Sequence, residues 1–568
     1  MQDKAFLARA IEQGHGKAPA DLVIKNVGLL DIVYGGVTVT DIAITGDRIV
    51  GTYETYTGTR EIDGRGLFAV PGFIDTHLHV ESSLVTPQEY DRCVLPHGVT
   101  TAICDPHEIA NVLGLEGIRF FLQSAENTIM DLRVQLSSCV PATAFETIGA
   151  TLLAKGLLPL RSHPQVIGLA EFMNFPGVLA RLPDVMDKLA AFQDGHIDGH
   201  APLVRGYDLN GYLAARIRTD HETTIAADGR EKLKKGLYVL IREGSVTKDV
   251  HALAEILDES SSAFCCLCTD DRNPLDIAEE GHLDFIIRTL INLGRPLHHV
   301  YRAASWSAAN AFGLRDRGMI APGWRADIVL VGDLARCSVK TVISAGRVVD
   351  AALFATRKKI PPVGLSSMKA RAVTAADFRI PGAAGELTMI GVAPGRVVPD
   401  NVRKHVPASG NVRLADPASD IAKVCVVERH GRNGNIGRGF VTGFGMKQGA
   451  IASSVGHDSH NICVVGVSDE DMAAAVNRLR AMGGGFAVVS GGVVRAELAL
   501  TLAGLMSLEP YEAIPAKVQA LKDAAVALGC TLPEPFLQVA FLPLPVIPHM
   551  KITDLGLFDV DRFELVKE

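Results

Sequence analysis

The chain has 568 residues, 48% of them hydrophobic, and its 56 basic and 64 acidic side chains give a formal net charge of −8. This length predicts several domains rather than one core, and the mildly acidic balance argues against nucleic-acid binding through phosphate neutralisation. With no apolar run of about 18 residues and no apolar core in the first ten, we expect a cytoplasmic protein without a membrane span. The ten scattered cysteines are expected to be buried, reduced thiols.

The two flanks of the N-terminal half share a β-type pattern. After a short predicted helix, residues 21–27 and 41–44 form brief β-type runs separated by glycine-rich turns. Short strands and turns return at residues 318–331 and 342–349. We expect these later strands to complete the first unit, so that residues 1–69 and 315–365 form one small β domain.

Residues 70–314 alternate buried-type strands with helical stretches, which is typical of βα units and a parallel sheet. Eight strands are predicted, ending near Asp75, Asp105, Val140, Glu171, His200, His221, Glu243 and Asp270. Eight such units in about 240 residues match a (β/α)8 barrel. The predicted fold class is therefore α/β: a (β/α)8 barrel, a small β domain built from both flanks of the barrel, and a C-terminal α/β domain at residues 370–568.

Several predicted strands end in side chains that can bind a metal. His77 and His79 follow an apolar run, and residues i and i+2 of a strand point to the same side. Later runs end in Glu171, His200, His221 and Asp270. The carboxyl ends of barrel strands meet at one mouth, so these side chains are expected to converge there. Imidazole and carboxylate together suit Zn, Mn or Fe.

Longer motifs carry a resemblance to a known family. Residues 71–79, Pro-Gly-Phe-Ile-Asp-Thr-His-Leu-His, and the turn at 321–327 resemble the amidohydrolase superfamily. Residues 79–83 (His-Val-Glu-Ser-Ser), 104–112 (Cys-Asp-Pro-His-Glu-Ile-Ala-Asn-Val) and 268–274 (Cys-Thr-Asp-Asp-Arg-Asn-Pro) resemble the bacterial adenine deaminase family within it. Residues 457–461, His-Asp-Ser-His-Asn, extend this resemblance into the last domain.

The resemblance implies hydrolytic deamination of adenine to hypoxanthine and ammonia by metal-activated hydroxide, a reaction of purine salvage. It implies two divalent metal ions, with Mn foremost and Fe or Zn as alternatives. The implied ligands are His77, His79, Glu171, His200, His221 and Asp270. Glu171 occupies the position where many superfamily members carry a carboxylated lysine, and it can bridge two cations. Glu171 and Asp270 are the implied catalytic residues, with Asp270 moving the water proton to the departing amine.

The residue that protonates N1 of the purine is left open by the sequence. Glu81, Glu243 and the pair of Asp105 and His107 are candidates, and no spacing argument selects one of them. Further candidate substrate contacts are Asp271, Arg272, His457 and His460. For these four, the alternative is a structural role, as a capping and ion pair for the first two and as loop stabilisation for the histidines.

Two rival functions remain open at this stage. Another amidohydrolase reaction would act on a different heterocycle or a cyclic amide, because one metal arrangement serves many substrates. A non-enzymatic scaffold would lack ligands, and none is missing here. The expected partners are small molecules, adenine and water, with no nucleic acid and no membrane, and the expected assembly is a homodimer. The native metal and the role of the last domain are not determined by the sequence.

Overall fold

The computed structural model describes residues 4–566, in which three regions follow one another along the chain. The strands are β1 (Ala20–Leu30), β2 (Val37–Thr45), β3 (Arg48–Thr52), β4 (Gly58–Asp63), β5 (Phe68–Pro71), β6 (Phe73–Leu78), β7 (Val99–Cys104), β8 (Asp131–Leu136), β9 (Val166–Phe172), β10 (His196–Gly199), β11 (Thr219–Asp220), β12 (Tyr238–Arg242), β13 (Cys265–Cys268), β14 (Ile328–Val331), β15 (Val339–Ser344), β16 (Arg347–Val348), β17 (Ile380–Pro381), β18 (Gly385–Gly391), β19 (Asp400–Val406), β20 (Ala408–Ser409), β21 (Val412–Arg413), β22 (Ala422–Val427), β23 (Ile436–Thr442), β24 (Ala450–Ser453), β25 (Ile462–Gly466), β26 (Gly485–Ser490), β27 (Val493–Ala499), β28 (Met550–Thr553), β29 (Gly556–Asp559) and β30 (Glu564–Leu565).

The α-helices lie mainly between the strands of the middle region. They are α1 (Lys4–Gly14), α2 (Pro87–Val94), α3 (His107–Leu113), α4 (Leu115–Ala125), α5 (Ala154–Leu157), α6 (Phe175–Ala180), α7 (Pro183–Ala191), α8 (Gly206–Ala214), α9 (Ala226–Lys234), α10 (Val250–Leu253), α11 (Pro274–Glu280), α12 (Leu283–Asn292), α13 (Leu297–Arg302), α14 (Ala308–Ala311), α15 (Ala351–Ala355), α16 (Asp469–Met482), α17 (Ile514–Ala527) and α18 (Pro535–Phe541). Among the described residues, no helix combines the length and the apolar character needed to cross a membrane.

Strands from both flanks of the middle region build one eight-stranded sheet, in the order β16-β15-β14-β5-β1-β2-β3 with β4 beside β1. β14 pairs antiparallel with β5, so that Ile328 lies opposite Pro71. Alternate side chains of a strand point to the same face, and Ile24, Ile42 and Ile328 are buried together in one apolar cluster. The strands that follow the middle region thus complete a sheet that begins near the N-terminus.

Eight parallel strands, β6 to β13, form the middle region, and most of their residues are buried. They are hydrogen-bonded as two sheets, in the orders β10-β9-β8-β7-β6 and β11-β12-β13. The sheets meet at both edges. The Arg218 N–H donates to the Ile197 carbonyl (3.1 Å), and the Asp270 N–H donates to the His77 carbonyl (3.0 Å). The arrangement is barrel-like, with the carboxyl ends of all eight strands facing one mouth.

The first of these strands is longer than predicted, since it continues to Leu78 rather than ending near Asp75. Asp75 is fully buried and accepts a hydrogen bond from the Thr269 hydroxyl (2.6 Å). Because Asp75 has a hydrogen-bond partner inside the barrel, it can stay within the strand. The prediction placed the strand end too early because it took this polar residue to mark the end of the buried run.

The third strand is shorter than predicted and ends at Leu136 rather than near Val140. Beyond its end, the Ser137 hydroxyl donates to Asp105 Oδ1 (2.9 Å) and the Ser138 hydroxyl donates to the backbone of the next strand. Ser137 and Ser138 are buried like strand residues, but they form side-chain hydrogen bonds instead of the backbone hydrogen bonds of the sheet. The other six predicted ends fall within about two residues of the observed ones.

The C-terminal region contains a second eight-stranded sheet, ordered β19-β18-β23-β22-β25-β24-β26-β27. Met472 and Val476 of α16 pack in one apolar cluster with Ala452 and Ala487 of the sheet. The loop between β24 and β25 reaches the barrel, where the Asn461 side chain donates to the carbonyl of residue 147 (2.8 Å). This region therefore lies over the mouth of the barrel.

Lys232 supports a prediction about the stability of the barrel. Its ammonium is fully buried and pairs with Asp220 Oδ2 (2.8 Å) and Asp228 Oδ2 (3.0 Å). We expect Lys232→Met to lower the free energy of unfolding by roughly 3–5 kcal/mol, because two buried carboxylates lose their cation. Lys234→Met, at an exposed position of the same helix, is the matched control. Urea unfolding followed by circular dichroism measures both, and equal midpoints for the two variants would contradict the expectation.

Candidate active site at the barrel mouth

Two histidines at the end of β6 face the barrel mouth. His77 Nδ1 lies 3.0 Å from Asp198 Oδ2, and His79 Nδ1 lies 3.0 Å from the carbonyl oxygen of Asp105. A hydrogen bond at Nδ1 orients the ring and leaves Nε2 free to bind a cation. Both rings are buried, so their Nε2 atoms are directed at neighbouring side chains rather than at bulk water.

The Glu171 carboxylate lies between two pairs of histidines. Its Oε1 atom is 3.4 Å from His79 Nε2 and 3.7 Å from His77 Nε2. Its Oε2 atom is 2.7 Å from His200 Nδ1 and 3.4 Å from His221 Nε2. Burial alone would raise the pKa of Glu171, but His221 and the other histidines hold it well below its usual range. One carboxylate oxygen therefore faces each pair, as a bridging ligand requires.

Unpartnered ring nitrogens indicate that this cluster is suited to a cation. Among residues 4–566, His77 Nε2, His200 Nε2 and His221 Nδ1 are buried without a hydrogen-bond partner. Buried polar atoms are normally paired, so orphaned nitrogens on three imidazole rings that each contact Glu171 fit a metal site. Burial alone would lower the pKa of His221, but the charge of Glu171 raises it to about 10. The same negative charge would favour a divalent cation.

Asp270 joins the cluster from the end of β13. Its Oδ1 atom lies 3.2 Å from His79 Nε2, and its Oδ2 atom accepts a hydrogen bond from Arg242 Nη1 (2.9 Å). Its φ of 55° is in the left-handed region, a strained conformation that clusters at functional sites. Burial alone would raise the pKa of Asp270, but the His79 hydrogen bond and the Arg242 charge hold it well below its usual range.

The structure thus brings all six predicted metal ligands together. One ligand atom from each of His77, His79 and Asp270 lies within 4.8 Å of the other two. The same holds for His77, Glu171 and His221. Four histidines and two carboxylates from five different strands therefore surround one small volume, although nearly the whole barrel separates the first from the last in sequence.

The sequence analysis missed three charged residues that line the cavity, namely Glu222, Arg242 and, described below, Asp458. Glu222 Oε1 lies 3.5 Å from His221 Nε2, and its carboxylate forms an ion pair with Arg242. Arg242 also donates to Asp249 Oδ2 (2.9 Å) besides Asp270. Glu222 directly follows a predicted ligand, and that position was the available signal. No motif or spacing pointed to Arg242, which enters the site only through the fold.

Of the candidate substrate contacts, His107, Asp271 and His457 line the cavity at the centre. His107 Nδ1 is 2.9 Å from Asp105 Oδ2, and its Nε2 is 3.5 Å from Asp458 Oδ1. Burial alone would lower the pKa of His107, but Asp105 and Asp458 raise it well above its usual range. Asp271 accepts a hydrogen bond from the Ser82 hydroxyl. Asp105 stands behind His107 rather than in the cavity lining.

Glu81, Glu243 and Arg272 are placed beside the cavity rather than in its lining. Glu81 Oε1 accepts a backbone N–H of α3 (3.1 Å), and burial together with the Glu108 charge raises its pKa to about 8. Glu243 accepts a backbone N–H of α10 (3.2 Å), and burial raises its pKa to about 7. Arg272 pairs with Glu280 Oε2 (2.7 Å). The surroundings of Arg272 match the ion-pair alternative considered for it.

The C-terminal region contributes a buried histidine loop. His457 Nδ1 lies 3.1 Å from Glu108 Oε1, and its ring stacks on Phe541 with 4.9 Å between centroids. Burial alone would lower the pKa of His457, but Glu108 raises it to about 9. His460 Nε2 is 3.7 Å from Glu108 Oε2, behind the cavity. His457 and Asp458, the latter not singled out from the sequence, line the cavity itself.

The cavity has a polar floor and an apolar roof. Its volume is about 40 Å³. The floor consists of the histidine and carboxylate cluster, and the roof residues are Met173, Val397, Phe541, Leu544 and Ile547. Apolar side chains over a polar centre lower the local dielectric constant, which strengthens electrostatic interactions at a metal centre. The arrangement is suited to metal-assisted hydrolysis of a small, uncharged substrate.

Comparisons with known proteins match both the barrel-like region and the C-terminal region of the chain. The model of the amidohydrolase family matches residues 68–349, and the model of the adenine deaminase C-terminal domain matches residues 396–564. Adenine deaminase 1 of Agrobacterium fabrum is 62% identical over 560 residues, which cover 99% of this chain and 97% of that protein. Adenine deaminase of Gluconobacter oxydans is 62% identical over 561 residues, covering 99% of each chain.

Asp198 provides a test of how the centre is oriented. We expect Asp198→Asn to weaken divalent-metal affinity by about 10–100-fold, because an amide orients the His77 ring less firmly and lacks the negative charge. Asp194→Asn, on the exposed turn just before β10, is the matched control and should leave the affinity unchanged. Competition with a chelator, read by elemental analysis, gives the affinity. Equal affinities in the two variants would show that Asp198 has no orienting role.

Proposed function

The chain belongs to the adenine deaminase family, and from this premise we infer that it is a hydrolase that converts adenine and water to hypoxanthine and ammonia. The observation that carries the inference is the 62% identity to adenine deaminases over 99% of the chain. The clustered histidines and carboxylates support it, because hydrolysis at a purine carbon needs an activated water and a proton carrier. Ammonia release with a panel of purines tests the substrate.

The family has a barrel-like α/β amidohydrolase fold, and we propose that strands β6 to β13 close as a (β/α)8 barrel. The backbone hydrogen bond from Asp270 to the His77 carbonyl (3.0 Å), between the first and last strands, supports closure. We further propose three domains. Residues 1–69 with 315–365 form the small β domain, residues 70–314 form the barrel, and residues 370–568 form the C-terminal domain.

The family is metal-dependent, and we propose that this chain holds two divalent ions, with Mn the first choice and Fe or Zn as alternatives. The proposed ligands are His77, His79, Glu171, His200, His221 and Asp270. When bound, paired divalent ions lower the pKa of water to as little as ~7 and stabilise the charge that develops on the reacting oxygen. Glu171 is proposed as the bridge, because one of its oxygens faces each histidine pair.

Asp270 is the proposed proton carrier. Its Oδ2 atom is fixed by Arg242, which leaves Oδ1, on the side of His79, to accept a proton from the attacking water. Water adds at C6 of adenine while ring N1 takes up a proton, Asp270 passes the first water proton to the amine, and the C6–N bond breaks to release ammonia. The second water proton, left on the C6 hydroxyl, is lost as the C6 carbonyl of hypoxanthine forms, and it replaces the proton that was delivered to N1. The carboxylate is a base in the first step and an acid in the second.

His107 is the proposed donor of the proton that ring N1 needs when water adds. Of the earlier candidates for this step, His107 is the one that lines the cavity, and Asp105 holds its Nδ1 atom (2.9 Å). Asp271 and His457, which also line the cavity, are proposed to contact the purine edge. Glu81, Glu243, Arg272 and His460 would then act through neighbouring groups rather than by touching the substrate.

We propose that the protein is a homodimer and that it is located in the cytoplasm. The ten cysteines of the chain are buried and unpaired, which is consistent with a reducing compartment. Sedimentation of the purified protein decides the assembly, and a monomer at micromolar concentration would exclude the dimer.

Metal content tests the centre without recourse to activity. We expect about two divalent ions per chain in the purified protein and a loss of at least one in Glu171→Gln, because an amide cannot bridge two cations as a carboxylate does. Glu126→Gln, at an exposed position, should keep both. Elemental analysis measures all three proteins. One ion in the fully active parent, or two in Glu171→Gln, would exclude the bridged pair.

Asp270 and Asp271 serve as controls for each other. Asp270→Asn should lower kcat by at least the ~10²–10⁴-fold that general acid–base catalysis supplies, since the amide is not basic. Asp271→Asn should mainly raise KM if that carboxylate contacts the purine. Steady-state kinetics and metal content of both variants decide the matter. A near-normal kcat in Asp270→Asn together with a collapse in Asp271→Asn would reverse the assignment.

A further inference from the structure

The cavity at the centre is too small for its proposed substrate. A volume of about 40 Å³ accommodates a few water molecules, since each needs roughly 10–15 Å³ by this measure. A purine has two fused rings with an exocyclic amine, and it exceeds that space. Part of the cavity wall must therefore move each time adenine enters and hypoxanthine leaves, and the structure indicates which part.

Two of the five roof residues are anchored. The Lys551 ammonium is buried and donates to the backbone carbonyls of Phe541 (3.0 Å) and Val397 (3.3 Å). Phe541 also stacks on His457. Displacing either residue would take one of two acceptors away from a buried amino group, which is costly. Phe541 and Val397 therefore form the fixed part of the roof.

The other part of the roof belongs to residues 543–548, here called the gate segment, which carries Leu544 and Ile547. Three of its six residues are prolines and have no N–H to donate. Within the described part of the chain, Val546 and Ile547 donate no backbone hydrogen bond, and the Leu544 N–H makes a long one of 3.4 Å. Side-chain packing is the main attachment of this segment, so moving it breaks few hydrogen bonds.

A second and much larger cavity, here called the antechamber, lies on the other side of the gate segment. Its volume is about 630 Å³, and Met173 lines both cavities. Pro545 and Val546 line the antechamber, whereas Leu544 and Ile547 beside them line the central cavity. The gate segment and Met173 therefore form the partition between the two spaces.

The antechamber is suited to a free base rather than to a nucleotide. Most of its walls are apolar, contributed by proline, leucine, valine and phenylalanine side chains. Among its described lining residues, Lys188 is the one cationic group, and its ammonium is buried and donates to the Ser138 carbonyl (2.6 Å). No cation is thus presented to a phosphate, while a flat, uncharged heterocycle can bury its faces against the apolar walls.

We propose that the antechamber binds purine bases on their way to and from the centre, and that the gate segment opens to admit them. The proposal rests on adenine being the substrate. It assigns the antechamber a role in substrate entry and product release, so blocking it should slow turnover without disturbing the metal centre.

A thiol label at the antechamber wall tests the proposal. The ten native cysteines are buried, so Ala180→Cys, at an exposed position of the antechamber lining, provides an accessible thiol. Ala190→Cys, at an exposed position of α7 away from that lining, is the matched control. Each variant is modified with a methanethiosulfonate that carries a bulky aromatic group, and the mixed disulfide is later reduced with a phosphine.

We expect the label on Ala180→Cys to lower kcat/KM for adenine at least ~10-fold with metal content unchanged, and reduction to restore it, because access limits the reaction. The labelled Ala190→Cys protein should keep kcat/KM within about twofold of the parent. Parent-like kcat/KM in labelled Ala180→Cys, or an equal loss in both labelled variants, would overturn the antechamber. Failure of the unlabelled variants, and of the parent, to release ammonia from adenine would instead overturn the proposed function.

Discussion

The buried carboxylate of Glu171 is the constraint on which the rest of the site depends. A carboxylate taken out of water is costly unless positive charge surrounds it, and here four imidazoles from three other strands supply the surroundings. Those imidazoles need orientation in turn. Asp198 provides it for His77 and a backbone carbonyl provides it for His79. The geometry of the centre thus follows from compensating one buried charge.

A second buried charge connects the C-terminal region to the barrel. Glu108 is fully buried on α3 and is compensated by His457, which comes from a loop more than three hundred residues further along the chain. The same loop places Asp458 beside His107. Removing water from the mouth strengthens these interactions, but it also obstructs the substrate. In our proposal, the gate segment can open to admit the substrate because it has few hydrogen bonds. The roof residues held by Lys551 stay in place and keep the centre covered.

The general fold could be predicted because its signals are local. Short apolar runs that alternate with helical stretches indicated the eight strands of the middle region, and six of the predicted ends fall within about two residues of the observed ones. The predicted strand ends were wrong where contacts with residues distant in the sequence decide where a strand ends. Asp75 stays inside β6 because Thr269 satisfies its carboxylate, and no pattern near Asp75 records that contact.

The sequence by itself determined which residues the barrel can bring to its mouth. Carboxyl ends of parallel strands share one edge, so His77, His79 and Asp270 could be grouped without coordinates, and longer motifs indicated the family. Only the tertiary structure decided what surrounds them. Arg242 fixes Asp270 and Lys551 anchors the roof, and both act through contacts between side chains and distant backbone or carboxylate atoms. Such contacts depend on chain packing in three dimensions, and neither periodicity nor spacing along the chain encodes them.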